Sequence, residues 1–438
     1  MAKAMKKFIF PLFLIFFLVA CNSEDVVKDT KKEVEEVKQE AVTLLMMTHW
    51  EDEVFKRNFK EPIEAQYENI TLEHVQARSS EIEELFAKKV FPDIIMTSEL
   101  EFYNEMEFLM DLNPLIEQSG FDLNTLEPNI LEYLKSISKE GEVNGLPFVR
   151  PEYALVYNPD VFDLFGVDYP TDGMTWEEVI ALAPQVTGEA NGKMYLGLHP
   201  GEYDFMLWQV PGSRLIDPVT HKPNIKGNEA FEMYLKSLQE IYAIPGSQPN
   251  FDDFKTTEEV FTYRPVKFMQ RGNVAMVVDR GFPRSYAGSD INFDFVTYPV
   301  WGGEHGEYAP NEPGNGFVVT TKTEHPKEAF QVVSHFLSED YQKWQSAVEG
   351  NVTALVSEDV REAFFTEHEA YEVLQEKNLQ AMFKLEPAPI KGISPYESEI
   401  LEGIDFKKAL FEGEDVNTII REMQEQAEAN YKDVISRK

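Results

Sequence analysis

Apolar residues occur along the chain in short runs, separated by stretches with helical spacing. "AVTLLMMTHW" (41–50) is an apolar run that ends in polar residues and Trp50, the pattern of a buried strand. Residues 51–69 continue with helical spacing, which Pro62 bends or breaks. "ITLEHVQA" (70–77) alternates and reads as a second strand. "SSEIEELFAKKVF" (79–91) opens on a serine cap and has a helical pattern, and "PDIIM" (92–96) is a third, short buried strand. Strand, helix, strand, helix, strand predicts a parallel sheet with crossover helices. Ligands of such sheets sit at the carboxyl ends of the strands, here Thr48-His49-Trp50 and Thr97-Ser98-Glu99.

Beyond residue 140 the pattern changes. Gly145 and Pro147 mark a turn before the strand-like "YALVYN" (153–158). Thr175, with Glu178 three residues on, predicts a capping box at the start of a helix. Two helical stretches, 228–243 and 256–270, follow an irregular region rich in Gly and Pro. "NVAMVVDRG" (273–281) reads as a buried strand ending in a polar turn. Residues 292–321 read as strand, long Pro/Gly-rich loop, strand, and from 326 the chain is largely helical. No tandem repeat is visible.

The amino terminus is of a different kind. Lys6 and Lys7 precede an apolar run from Phe8 to Ala20, thirteen residues long. A bilayer-spanning helix needs about 20, so the run reads as a secretory signal. Leu18-Val19-Ala20-Cys21 resembles the bacterial lipobox. That resemblance implies cleavage after residue 20 and acylation of Cys21, which would tie the protein to a membrane by its lipid. The other readings are an ordinary signal peptide or an uncleaved anchor. Residues 21–42 are mostly charged and read as a solvated tether. Cys21 is the only cysteine, so a disulfide framework and Cys-based metal or nucleophile chemistry are excluded.

The 396 residues after position 42 are too many for one ordinary core and fit two domains. The net charge of −37 argues against nucleic acid and anionic lipid surfaces. The eight His are scattered without zinc-site spacing, and P-loop, EF-hand and G-x-S-x-G patterns are missing. No cofactor, metal or catalytic residue is expected. Asn69-Ile70-Thr71 and Asn351-Val352-Thr353 are glycosylation sequons by pattern only.

Five blocks then carry a resemblance: "PDIIMTSELEFYNEMEFLMDLNPLIE", "GEVNGLPFVRPEYALVYNPDVFDLFGVDYPTDGMTWEEV", "FMQRGNVAMVVDRG", "GNGFVVTTKTEHPKEAFQVVSHFLSEDYQ" and "ALFEGEDVNTIIREMQEQAEANY". In this order they resemble the extracellular solute-binding proteins of ABC importers, specifically the maltose-binding-like, carbohydrate group. The resemblance implies an α/β protein of two hinge-linked lobes, each built from interrupted segments. Lobe one would hold 43–150 and 280–325, and lobe two 151–279 and 326–438. Hinge crossings would lie near Pro151–Tyr153, Asp279–Gly281 and Glu324–Pro326. It also implies a non-enzymatic monomer at the extracellular face of the cell membrane, which captures a carbohydrate and docks on an importer permease. A non-sugar solute (peptide, amine or organic anion) and a secreted glycoside hydrolase are the alternatives.

A sugar ring needs a flat aromatic to stack on and paired polar groups for its hydroxyls. Trp176 and Trp344 sit on helical stripes and read as packing residues. Trp50, Trp208 and Trp301 occupy loop-like positions where binding residues concentrate. Ser98 and Glu99 follow the third strand, Arg150 and Glu152 flank the first hinge crossing, and Asp279 and Arg280 the second. A hinge salt bridge is the other reading for Arg150 and Arg280. Asn315 lies between Gly314 and Gly316, which would let backbone approach a ligand. Tyr103 and Tyr153 are further aromatic candidates. Trp301, just before Gly302-Gly303, is expected to turn its indole toward the cleft; the competing reading packs it under its own loop.

Overall fold

The computed structural model describes residues 40–138, 141–199, 203–244, 269–280, 283–311, 314–389 and 392–437. The signal, Cys21, most of the tether and nearly all of the helix expected over 256–270 lie outside the described residues. No described helix is long and apolar enough to cross a membrane.

Among the described residues, twelve strands form two five-stranded sheets and one short pair. In chain order they are β1 (Val42–Thr48), β2 (Ile70–Gln76), β3 (Ile94–Thr97), β4 (Leu146–Pro147), β5 (Ala154–Tyr157), β6 (Gly188–Ala190), β7 (Lys193–His199), β8 (Val274–Asp279), β9 (Asp294–Thr297), β10 (Tyr308–Ala309), β11 (Gly316–Val319) and β12 (Glu386–Pro387). The first sheet runs β2-β1-β3-β11-β4, the second β6-β7-β8-β5-β9, and β10 pairs with β12. As expected, β1 is parallel to both β2 and β3. β11 enters antiparallel between β3 and β4.

Alternation along the strands gives each sheet two buried faces. In β1, Leu44 and Met46 face one core of the first sheet and Met47 the other; in β11, Phe317 and Val319 divide from Val318 in the same way. The second sheet separates Leu155 and Tyr157 from Ala154 and Val156. The helix Pro326–Phe336 lays Ala329, Phe330, Val332, Val333 and Phe336 on the first sheet's core. Val416, Ile419, Ile420, Met423 and Ala427 of the helix Val416–Ser436 cover the second. The capping box is present: the Glu178 amide donates to Thr175 Oγ1 at 3.2 Å, and the Thr175 amide to the Glu178 carboxylate at 2.8 Å.

The expected segment boundaries need correction. The family resemblance puts 280–325 in lobe one, but β9 pairs antiparallel with β5 in the second sheet. The chain therefore stays with the second sheet past Asp279 and reaches the first only at β11. The resemblance puts the range from 326 in lobe two, yet the helices Pro326–Phe336 and Glu339–Trp344 contribute Phe336 and Tyr341 to the first sheet's core, Leu355 belongs to it as well, and Val352, Phe364 and Phe365 lie in a second-sheet core. The physical reason is that sheet membership is set by partners distant in the chain, β5 for β9 and β3 and β4 for β11. The passage from β4 to β5 covers residues 148–153, which include Pro151–Tyr153.

Candidate functional site

Because β1, β2 and β3 are parallel, their carboxyl ends open on one side of the first sheet. A threonine closes two of them. Thr48 Oγ1 accepts from the Trp50 amide at 3.2 Å, and Thr97 Oγ1 accepts from the Glu99 amide at 2.9 Å. These local bonds fix the turns that present Trp50 and Ser98-Glu99. The Trp50 indole is half-buried and rests against Phe59 and Phe148, at ring separations of 5.3 and 6.3 Å.

Three adjoining cavities run along this edge. One of about 280 Å³ is lined by Trp50, Ser98, Arg150, Glu152, Arg280, Arg284, Asn315 and Asn351 among others. The next, about 360 Å³, is lined by His49, Arg78, Ser79, Ser98, Glu99 and Asn315. The third, about 560 Å³, lies between Ser98-Glu99, Glu101 and the segment Ile393–Leu401. Ser98 borders all three, so they form one cleft. Its walls come from the strand ends of the first sheet, the residues around Arg280, and the segment before the last helices.

Seven of the twelve expected binding residues line this cleft: Trp50, Ser98, Glu99, Arg150, Glu152, Arg280 and Asn315. The other five do not. Tyr103 is fully buried in a core of the first sheet, and Tyr153 is buried edge-on against Tyr298 at 5.8 Å. Asp279 is buried and accepts hydrogen bonds from the Tyr286 hydroxyl at 2.7 Å and the Arg280 amide at 2.8 Å. Trp208 lies under the Arg214 guanidinium, 5.4 Å away, and lines none of these three cavities; it borders a further one of about 140 Å³ that shares Glu397 and Leu401 with the third. Trp301 packs on the second sheet's core, 6.0 Å from Trp176, with Nε1 donating to the Met206 carbonyl at 3.0 Å. Its indole has an apolar neighbour and a hydrogen-bond acceptor inside its own lobe, so the two following glycines do not free it for the cleft.

The glycine reading also changes. A Cβ on Gly314 would lie 2.4 Å from the Val149 carbonyl oxygen, and one on Gly316 2.8 Å from that of Leu146. These glycines admit a neighbouring backbone, and Gly314 also lines the cavity at Trp50.

The sequence pattern does not point to Arg284, Asn351 or the segment Ile393–Leu401, all of which line the cleft; His49, at the carboxyl end of the first expected strand, lines it too. Arg78 does carry a signal. It follows the end of β2, a third parallel strand whose carboxyl end opens on the same side as those of β1 and β3.

The charged groups differ in role. Arg150 is buried; its Nη2 donates to the Met382 carbonyl at 2.7 Å and its Nη1 lies 3.8 Å from Glu127, which also pairs with Arg361. The salt-bridge reading thus describes Arg150. Glu152 is buried beside Asp279, Arg280 and Arg284, and burial pushes its carboxyl up to about 7. No group of three or more His, Cys, Asp or Glu suited to a metal ion occurs among the described residues.

The model of the bacterial extracellular solute-binding protein family matches residues 51–343. The chain belongs to that family. No curated protein matches it. Solved structures share the fold of this solute-binding protein. An ABC substrate-binding protein from Listeria monocytogenes, in complex with cycloalternan, is 16% identical over 91% of this chain and 99% of its own, with a TM-score of 0.66. The sugar-binding protein MalE from Xanthomonas citri is 14% identical over 90% and 98%, at 0.68. The cyclic alpha-maltosyl-1,6-maltose binding protein from Arthrobacter globiformis is 15% identical over 90% and 100%, at 0.67.

This geometry makes Trp301 and Glu152 the residues to test. Trp301→Ala removes packing and one hydrogen bond inside the second lobe, so it should lower stability by about 2–3 kcal/mol. The affinity of the folded protein for its ligand should stay within about twofold. A thermal melt and a titration on the same variant decide; an unchanged melt with lost affinity would return Trp301 to the cleft. Glu152 holds its proton in the fold at pH values where the unfolded chain, with an ordinary carboxyl near 4.5, has lost it. Its contribution to stability therefore falls as pH rises from about 4.5 to about 7, by on the order of 3 kcal/mol. His199, buried and held neutral with its value lowered to about 3, acts in the opposite sense, losing stability as pH drops below 6.5. Urea midpoints at pH 5 and pH 8 for wild type and Glu152→Gln isolate the carboxyl: the variant should gain on wild type at pH 8 and not at pH 5.

Proposed function

We propose that this solute-binding protein is the receptor of an ABC importer for a carbohydrate, with an oligosaccharide as the best fit. The observation that carries the reading is Trp50. Its indole is braced by Phe59 and Phe148, and it shares one cavity with Ser98, Asn315, Asn351 and three arginines. An aromatic plane beside groups that donate and accept in pairs is what a sugar's C–H face and hydroxyl rim require. The cleft extends well beyond that cavity, with room for more than one ring. The neighbours that carry a cyclic or maltose-type oligosaccharide in their names support the same class of ligand. The ligand would be captured between lobes that close by a hinge and then handed to a permease. The site residues are Trp50, Ser98, Glu99, Arg280 and Asn315, and the receptor acts as a monomer without catalysis.

A panel of oligosaccharides read by thermal shift tests this. A true ligand at a hundred times its Kd should stabilise by about 2.7 kcal/mol, and Trp50→Ala should weaken its binding by about 1–3 kcal/mol. Turnover of the ligand, or a panel in which peptides stabilise and sugars do not, would sink the reading.

We also propose that residues 1–20 are removed and that Cys21, lipidated, holds the protein at the outer face of the cell membrane. The lipobox-like Leu18-Val19-Ala20-Cys21 at the end of the apolar run supports this, and each buried acyl CH₂ adds about 0.8 kcal/mol of membrane affinity. Cys21→Ala should release the protein from membranes or leave the signal attached. An intact mass showing an unmodified, retained amino terminus would refute it.

A further inference from the structure

Phe102 is an aromatic side chain that the fold leaves outside its cores. It sits in the helix Leu100–Glu105, which begins at the turn fixed by Thr97. Leu100 and Tyr103, three residues apart on one helix face, are buried in a core of the first sheet. Phe102 belongs to none of the four apolar cores and is 36% exposed. Of the exposed large apolar side chains among the described residues, it alone lines the cleft. One exposed phenylalanine on an open surface is ordinary. This one borders a cavity of about 560 Å³ whose lining is rich in hydroxyls, from Ser79, Ser80, Ser98, Ser394 and Ser398. Its ring meets Tyr103 at 5.1 Å and 80°, an edge-to-face contact that uses at most one face of the ring. Glu101 belongs to the frame of this cavity: its Oε1 accepts from the Tyr133 hydroxyl at 2.7 Å and from the Ile393 amide at 2.8 Å, which ties the helix to the cavity's other wall. That wall is rooted in the second sheet's core through Tyr396 and Ile400.

The three cavities of the cleft lie in series. The middle one shares Ser98 and Asn315 with the cavity of Trp50, and Ser79, Ser80, Ser98 and Glu99 with that of Phe102, whereas the two outer ones have only Ser98 in common. No Trp, Tyr or Phe lines the middle cavity. We infer, resting on the carbohydrate reading, that Phe102 is a second stacking platform and that the cleft takes an oligosaccharide of at least three units, one on Trp50, one on Phe102 and the rest between them. The C–H face of a sugar fits a flat ring while its hydroxyl rim meets the serines. A mono- or disaccharide on Trp50 would leave the largest of the three cavities unused. A unit on Phe102 also touches the wall rooted in the second sheet's core, so a long sugar gains contacts to both lobes at this end of the cleft.

The test is calorimetric titration of the full chain in detergent with malto-, isomalto-, xylo- and fructo-oligosaccharides of two to six units. In the series that binds, affinity should rise by about tenfold or more from dimer to tetramer. Trp50→Ala and Phe102→Ala should each weaken the tetramer by about tenfold or more. A dimer reaches one platform only and should respond to one of the two substitutions; where it is too weak to titrate, the tetramer decides alone. Phe102→Tyr, which keeps the ring, should bind the tetramer within about twofold of wild type, and Phe102→Leu, apolar without a ring, should not. The melting temperature of Phe102→Ala should stay within about 2 °C of wild type, because the side chain is exposed and outside every core. If it falls further, the contrast between Phe102→Tyr and Phe102→Leu decides. A tetramer no tighter than the dimer, a dimer that loses equally to both alanine substitutions, or a Phe102→Ala variant that keeps the tetramer within about twofold of wild type overturns the inference and leaves the carbohydrate reading standing. If no sugar of any length binds, the carbohydrate reading falls and this inference with it.

Discussion

The cleft depends on a close passage of two backbones. Between Val149 and Pro151 the chain leaves the first sheet, and at Gly314–Gly316 it returns beside the same place. The Phe148 amide donates to the Asn315 carbonyl at 2.9 Å, and no Cβ fits at Gly314 or Gly316. This contact lets β11 slip antiparallel between β3 and β4, and it seals Phe317 against Phe59 and Phe148 in the first core. The same contact brings Asn315, Arg150 and Glu152 to the strand ends that carry Trp50 and Ser98. A side chain at either glycine would push the two passages apart, and with them the two walls of the site.

That passage also explains what is legible in the sequence. The parallel start of the first sheet can be read because its strands are short apolar runs with helices between, and a local pattern is enough for that. Trp50, Ser98 and Glu99 follow from the rule that parallel strands present ligands at their carboxyl ends. The order of later segments is not legible in the same way. "FDFVT" and "GFVV" are similar apolar runs, and nothing in either states which sheet it joins. β9 joins the second sheet and β11 the first because of partners far away in the chain. Trp301 escapes a local reading for a related cause: loop position and neighbouring glycines describe freedom of the backbone, whereas the indole is held by Met206 and Trp176. Gly314 and Gly316 signal close approach, and the groups that approach them are the Val149 and Leu146 carbonyls.

The buried charges near the crossing follow from the same geometry. Arg150 leaves the first sheet at the crossing and reaches Met382 and Glu127, while Arg361 reaches Glu127 from another side. A buried ion group of this kind adds little net stability, since desolvation offsets its attraction, but losing one member leaves an uncompensated charge. It therefore acts as a registration device between segments distant in sequence. Glu152, two residues on, is governed by its burial more than by the arginines near it and keeps its proton more readily. One side of the crossing is thus locked by ions, and the other is left with a carboxyl whose charge responds to what lies next to it.

This difference bears on how the cleft can recognise a solute and still release it. Arg150 and Glu127 are paired with each other in the frame, and Arg280, Arg284, Asn315 and Ser98 line the cavity from different segments. A ligand that touches both walls gains contacts it cannot make to either alone, and only that difference in binding energy can favour closure. A ligand held entirely by Trp50 and Ser98 would bind without drawing the walls together. Under the proposed hinge closure, lining residues from different segments, Arg280 and Arg284 among them, are what would couple binding in this cleft to movement of its walls.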